Sequence, residues 1–334
     1  MHETEASVSS LEMELYFFNK NEKGELLLKI VIVGIGGIGG IIGGKLAQYK
    51  SGDVNFFCRG ETLKKLLSDG LELRWNNNPC IVRPNLATND AHKIGVADVV
   101  IFAVKNYNLI SAANEIAPIV GKETVVIPLL NGMDARRKLK AIFMGSDVLG
   151  GCIYVSAFAV SPGIVQQNGN VLKVLFGSSD LTEDENIKKY SGIRNIFETA
   201  GINTTLTSNI ENEMWLKFIM ISSLGTATSL YKRNVGELFS DKDSTEEFKG
   251  LVREIVSVAE AKGVILPENI EEETLKKASS FTPETKTSMQ LDFEKKSNNE
   301  LEALTGYVCE EASNLGIAVP LYDKAYTSLR SLYS

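Results

Sequence analysis

Hydrophobic positions divide the chain into two parts with different periods. From Lys29 to about residue 207, short apolar runs alternate with stretches of helical length. Ile30–Val33 ends at Gly34, and Val54–Cys58 follows the longer Ile38–Lys50. Val99–Val104, Val125–Leu130 and Val148–Val155 repeat the pattern. A run that is apolar throughout reads as a strand covered on both faces, and hence as part of a parallel sheet. Ile38–Lys50 and Glu61–Asp69 supply the helices of βαβ units, so the expected fold is a Rossmann-type, doubly wound α/β sheet. Beyond residue 208 the apolar spacing changes to three and four. Trp215, Phe218, Ile219 and Leu224 follow it, as do Leu251, Ile255 and Val258, and then Leu301, Leu304, Val308 and Ala312. With no strand signal there, the second part is expected to be all-helical. The expected division is 1–28 as an extension, 29–207 as a Rossmann-like domain and 208–334 as a helical domain.

The extension leaves two readings open. Leu11–Phe18 and Glu25–Val33 are largely apolar runs around polar Asn19–Gly24, which fits a β-hairpin or a frayed segment equally well. Its Glu-rich start lacks the basic region and apolar stretch of a secretory leader.

Composition narrows the chemistry. With 334 residues, 44% apolar and 23% charged, the chain is ordinary folded protein long enough for two domains. Its 35 basic and 42 acidic residues give a net charge of −7, which argues against a nucleic-acid or anionic-membrane surface but leaves room for a local phosphate pocket. Cys58, Cys80, Cys152 and Cys309 are far apart, so neither a disulfide framework nor a zinc site is expected, and the setting reads as reducing and cytoplasmic. Only His2 and His92 are present, which disfavours histidine metal sites and Ser-His-Asp hydrolysis. The available chemistry is that of Lys, Glu, Asn and Ser.

Gly34-Ile35-Gly36-Gly37-Ile38-Gly39 matches G-x-G-x-x-G between an apolar strand and a helix, the context in which that turn cradles a pyrophosphate. The helix N-terminus adds unpaired N–H groups and partial positive charge. The second strand then decides the dinucleotide. An NAD site wants an acidic residue at its end, whereas here the strand runs into Arg59, twenty positions after Gly39. A guanidinium suits a 2′-phosphate, so NADP is expected, against the plainer reading of a surface arginine. Lys105 and Asn131 end two further strands at the edge where such sheets bind ligands. Each alone also reads as a solvated lysine or a turn.

Lys217 stands among Met214, Trp215, Leu216, Phe218, Ile219 and Met220. Desolvation there lowers a lysine's pKa and suits it to general-acid work, although a snorkelling side chain is the ordinary alternative. Ser297-Asn298-Asn299-Glu300 reads as a capping box opening the Leu301–Val308 helix, and Ser288 as a helix-start residue.

Taken in order, these residues resemble the ketopantoate reductase family. The resemblance runs from Lys29 to Leu332 and adds Trp215-x-Lys217, Gly236-Glu237-Leu238, Ser288-Met289 and Gly316-Ile317-Ala318-Val319-Pro320. It implies NADPH-dependent reduction of a 2-oxo acid, with ketopantoate to pantoate in pantothenate biosynthesis as the leading expectation. It further implies Lys217 as general acid and substrate contact, Ser288 as a substrate-binding hydroxyl, and Glu300 as a carboxylate near the nicotinamide ribose. Asn131 is implied on both cofactor and substrate, Lys105 on the cofactor, and Ala157 as a backbone contact to it. A small-molecule partner is implied, with no nucleic acid, membrane or metal, and a homodimer is left open. The family's Asn residues four and eight positions after the lysine are Ile221 and Gly225 here, and one before Gly-Glu-Leu is Val235. That change keeps open a reductase of a more apolar 2-oxo acid, alongside a non-catalytic NADP-binding regulator.

Overall fold

The computed structural model describes residues 27–75 and 78–332. The chain begins β1 (Lys29–Val33), α1 (Gly37–Gln48), β2 (Asp53–Phe57), α2 (Gly60–Ser68), β3 (Leu71–Trp75), β4 (Asn78–Val82) and β5 (Leu86–Thr88). It continues through β6 (Val99–Phe102), α3 (Leu109–Ile116), β7 (Val125–Pro128), α4 (Ala135–Ile142) and β8 (Asp147–Val148). β9 (Gly150–Ser161), β10 (Ile164–Gly177), α5 (Glu183–Thr199) and β11 (Asn203–Leu206) complete the strand-bearing part. Of the hairpin considered for 11–33, residues 11–26 lie outside the described residues, and Lys29–Val33 is a parallel sheet strand.

The first sheet has the order β5-β2-β1-β6-β7-β8, all pairs parallel. Its two central strands show why an unbroken apolar run was needed. In β1, Ile30 and Ile32 enter one core while Val31 and Val33 enter the core on the opposite face. In β6, Val99 and Ile101 divide from Val100 and Phe102 in the same way. Each such side chain contributes about 1.5–3 kcal/mol of burial, so the two faces fix the strands together.

A second, mixed sheet was not foreseen. It runs β11-β10-β3-β4, with β9 antiparallel to β10, and the expected single strand Val148–Val155 is split between β8 and β9. β9 is buried at its start and exposed at its end, and β10 is exposed in its middle, so neither carries a continuous buried signature.

Beyond Leu206 the described residues form no strand. α6 (Ile210–Tyr231) is the long central helix, followed by α7 (Val235–Ser240), α8 (Lys242–Ala261) and α9 (Ile270–Ser279). α10 (Ser288–Glu294), a π-helical turn at Glu302–Gly306, α11 (Tyr307–Leu315) and α12 (Pro320–Ser331) close the chain. Trp215, Phe218 and Ile219 put one face of α6 into the helical core, where Phe218 meets Tyr307 edge-on at 5.5 Å. The opposite face of α6 looks toward the sheet.

Candidate functional site

The carboxyl ends of β1, β2 and β6 open onto a cavity of about 1080 Å³, at the upper end of ligand clefts, which run to about 1,000 Å³. It lies at the switch point between β1 and β6, where the order of the parallel sheet reverses and ligands of such folds bind. β9 and the segment leading into α10 form its other walls.

The glycine turn has the shape a pyrophosphate requires. Gly34 sits at φ +91°, a conformation L side chains rarely adopt, and its N–H donates to the Phe57 carbonyl at 3.0 Å. A Cβ on Gly39 would stand 1.9 Å from the Gly34 carbonyl oxygen, so only glycine lets α1 leave the strand so closely. Gly36 is different: a Cβ there meets nothing within 4 Å among the described residues, and the residue lines the cavity. The first turn of α1 carries no acidic side chain, so its free N–H groups face the opening with their positive end unopposed. These residues fit the diphosphate of a dinucleotide. Ile35, Gly37 and Ile38 line the cavity too, as does Ala157, against whose carbonyl Gly37 packs. Gly39 alone of the motif is kept out of the lining, beneath the turn.

Arg59 caps the start of α2 and borders the cavity, with Nη1 donating to Glu115 Oε1 at 3.1 Å. Deeper in, Lys105 Nζ donates to Asp292 Oδ2 at 3.1 Å and to Glu300 Oε2 at 3.3 Å. Burial works against the Lys105 charge, but Glu300 and Asp292 outweigh it and hold the ammonium above the usual lysine range. The Asn106 backbone N–H donates to the other Glu300 oxygen at 3.4 Å. This corrects the capping box expected at Ser297–Glu300. The Ser297 hydroxyl donates to the Asp292 carbonyl, and Asn299 accepts from the Leu301 N–H at 2.9 Å. The Glu300 carboxylate, 4% exposed, turns across the cleft to the Lys105 ammonium and the Asn106 N–H instead, which satisfy its two buried oxygens.

Lys217 projects from α6 into the cavity, where Nζ donates to Asn131 Oδ1 at 3.1 Å. Desolvation drives its pKa below the ordinary lysine value, with Cys152 and Glu300 acting in the other direction. Ser288 is the first residue of α10 and lines the cavity, while Thr287 is the cap that accepts from the Gln290 N–H at 3.3 Å. Ile221 and Gly225, one and two turns past Lys217, share its wall with Met220 and Leu224. The polar residues beside them point elsewhere. Ser222 donates to the Leu304 carbonyl at 3.1 Å, and Thr226 pairs with Thr305 at 2.8 Å. The structure thus gathers Arg59, Lys105, Asn131, Ala157, Lys217, Ser288 and Glu300 around one space. Asp292 and Glu115 were not found from the sequence, because each is identified only by a partner far along the chain.

A parallel sheet with a phosphate-cradling glycine turn, facing a lysine and a carboxylate on a helical part, defines a dinucleotide-dependent oxidoreductase. Models described as ketopantoate reductase PanE/ApbA and its C-terminal part match residues 30–180 and 209–332, and the chain belongs to the ketopantoate reductase family. An uncharacterized oxidoreductase of Bacillus subtilis is 28% identical over 303 residues, covering 91% of this chain and 98% of its own. The 2-dehydropantoate 2-reductase of Halobacterium salinarum is 27% identical over 300 residues, covering 88% and 95%. A solved D-mandelate dehydrogenase holding NADH and anilino(oxo)acetate has the same fold, with a TM-score of 0.82 at 19% identity over 92% of this chain and 98% of its own. Among the described residues no helix is long and apolar enough to cross a membrane.

Proposed function

We propose that the chain reduces a 2-oxo acid carrying an apolar side chain, with NADPH as hydride donor. Residues 29–207 hold the cofactor and 208–334 the substrate side. The reduced nicotinamide, when bound, supplies hydride to the carbonyl carbon of the substrate. Lys217 gives a proton to the carbonyl oxygen, and its positive charge opposes the alkoxide that develops there. Asn131 aims the ammonium, and the Ser288 hydroxyl offers a donor to the substrate. Glu300, held by the Lys105 ammonium and the Asn106 N–H, is placed to accept from a ribose or substrate hydroxyl.

The observation that carries the substrate reading is the wall of α6. Beyond Lys217 it offers the cavity Met220, Ile221, Leu224 and Gly225, none with a side-chain hydrogen-bonding group. A Cβ on Gly225 would come no nearer than 3.6 Å to its neighbours, Met289 and Leu304, so the glycine leaves space beside an apolar surface. Ketopantoate itself is the second reading, supported by the family and by the Halobacterium relative. NADPH oxidation followed by absorbance, with ketopantoate and a panel of branched and aromatic 2-oxo acids, separates them. A kcat/KM for ketopantoate above all apolar acids would overturn the first reading and leave the second.

A further inference from the structure

The end of the cleft beside β2 holds two opposite charges, where a 2′-phosphate site needs only one. Arg59 donates from Nη1 to Glu115 Oε1 at 3.1 Å. Glu115 stands in the last turn of α3, and Ser111, one turn earlier, donates its hydroxyl to the same oxygen at 2.9 Å. Both members of the ion pair border the cavity, together with Thr62 and Ala112. Their side chains are 64% and 39% exposed, so water screens the pair and a ligand can draw either partner away at small cost.

The two partners act differently toward the two nicotinamide dinucleotides. A 2′-phosphate at Arg59 competes with Glu115 for the guanidinium and meets a carboxylate that Ser111 keeps in place. A free 2′-hydroxyl raises no such repulsion, and a carboxylate is the group that accepts from ribose hydroxyls in folds of this kind. In those folds the acid ends the second strand. Here the position is taken by Arg59, and the acid comes from the helix after β6.

We propose that Glu115 is a specificity-determining residue of the dinucleotide site, setting how far the chain prefers a 2′-phosphorylated dinucleotide over one with a free 2′-hydroxyl. The inference rests on the reading of this cleft as a nicotinamide dinucleotide site. It predicts that Arg59 alone overstates the preference for NADPH, because its charge is shared.

The test is equilibrium binding of NADPH and NADH, measured by calorimetry on the wild type and on Glu115→Gln, without substrate. The substitution keeps the shape and the Ser111 hydrogen bond while removing the charge, and its exposed position leaves folding intact, as a melting curve checks. NADPH should bind about three- to tenfold more tightly to the variant, most clearly at low ionic strength, while NADH binding stays level or weakens. An unchanged ratio of the two dissociation constants, with NADPH still bound by the wild type, would overturn the role of Glu115 and leave the cofactor reading standing. Failure of the wild type to bind either dinucleotide would remove both.

Discussion

Lys217 on α6 and Asn131 after β7 are joined side chain to side chain, Nζ to Oδ1 at 3.1 Å, across the seam between sheet and helices. The amide oxygen accepts from the ammonium without neutralising it, so the lysine keeps both its charge and a fixed direction in the cavity. A proton donor held this way contributes about 10²–10⁴-fold to the rate. Lys217→Ala should lower kcat by that factor while the melting temperature stays near the wild-type value. A folded variant with near-normal turnover would take Lys217 out of the mechanism.

The same pair fixes a pH dependence. As an acid, Lys217 works only while protonated, so kcat should fall as pH rises through its pKa. Desolvation sets that pKa below the ordinary lysine value of 10.5. Because the Asn131 bond favours the charged form, Asn131→Ala should move the alkaline limb to still lower pH. A pH–kcat profile of both enzymes decides this, and a limb that does not move would mean Asn131 has no hold on the proton.

Arg59→Ala tests the cofactor. Giving up the exposed Glu115 pair costs about 0–1 kcal/mol, whereas a charge-assisted bond to a phosphate is worth roughly 1.5–3 kcal/mol. NADPH binding should therefore weaken about tenfold to a hundredfold while NADH binding changes little. Equal losses for both dinucleotides would refute contact with a 2′-phosphate.

How much of this was legible in the sequence follows from how local each signal is. β1 and β6 announce themselves because both of their faces are buried, which makes every residue apolar apart from Lys29 at the open end of β1. Gly34 and Gly39 are legible for a similar reason: one needs a positive φ and the other a space smaller than a methyl group. β9 and β10 escape notice because the end of one and the middle of the other are exposed, which breaks the unbroken buried run, although β9 forms a wall of the cleft. At Glu300 the local pattern misled. Its S-x-x-E spacing suits a cap, but the tertiary fold brings Lys105 to the carboxylate, and no window around residue 300 contains that information. The Arg59–Glu115 pair spans 56 residues and was invisible for the same reason.

Lys45 marks a cost of the fold away from the chemistry. It is 1% exposed on α1, its ammonium has no hydrogen-bond partner among the described residues, and it lies 3.1 Å from the centre of the Trp75 ring. Burial lowers its pKa from 10.5 to about 8. Between those values the folded chain binds fewer protons than the unfolded one, so stability contributed by this group rises with pH across that window. Lys45→Met should remove about 1–3 kcal/mol of that rise and unfold at higher temperature near neutral pH. Denaturant titrations of both chains from pH 7 to about 10.5 test it, the wild-type-minus-variant difference being the quantity to read. A flat difference would mean that the Trp75 ring already compensates the buried charge.

The wall of α6 gives the sharpest test of substrate choice. Ile221 lies one turn from Lys217, where it borders the cavity and also packs against the edge of the helical core, so an amide placed there is within reach of the substrate. The polar neighbours that could have served in its place are engaged inside the protein, Ser222 with Leu304 and Tyr322, and Thr226 with Thr305. Ile221→Asn should therefore shift kcat/KM toward ketopantoate and away from an apolar 2-oxo acid, by about 1–2 kcal/mol for each hydrogen bond restored. If the side chain instead packs inward, the amide is buried without a partner and the fold loses roughly 1–3 kcal/mol with no change in preference. Melting temperature and the ratio of kcat/KM values, measured on the same variant, separate the two. A lower melting temperature with an unaltered ratio would sink the apolar-wall account, because specificity would then be set by Ser288 and Asn131 on the other sides of the cleft.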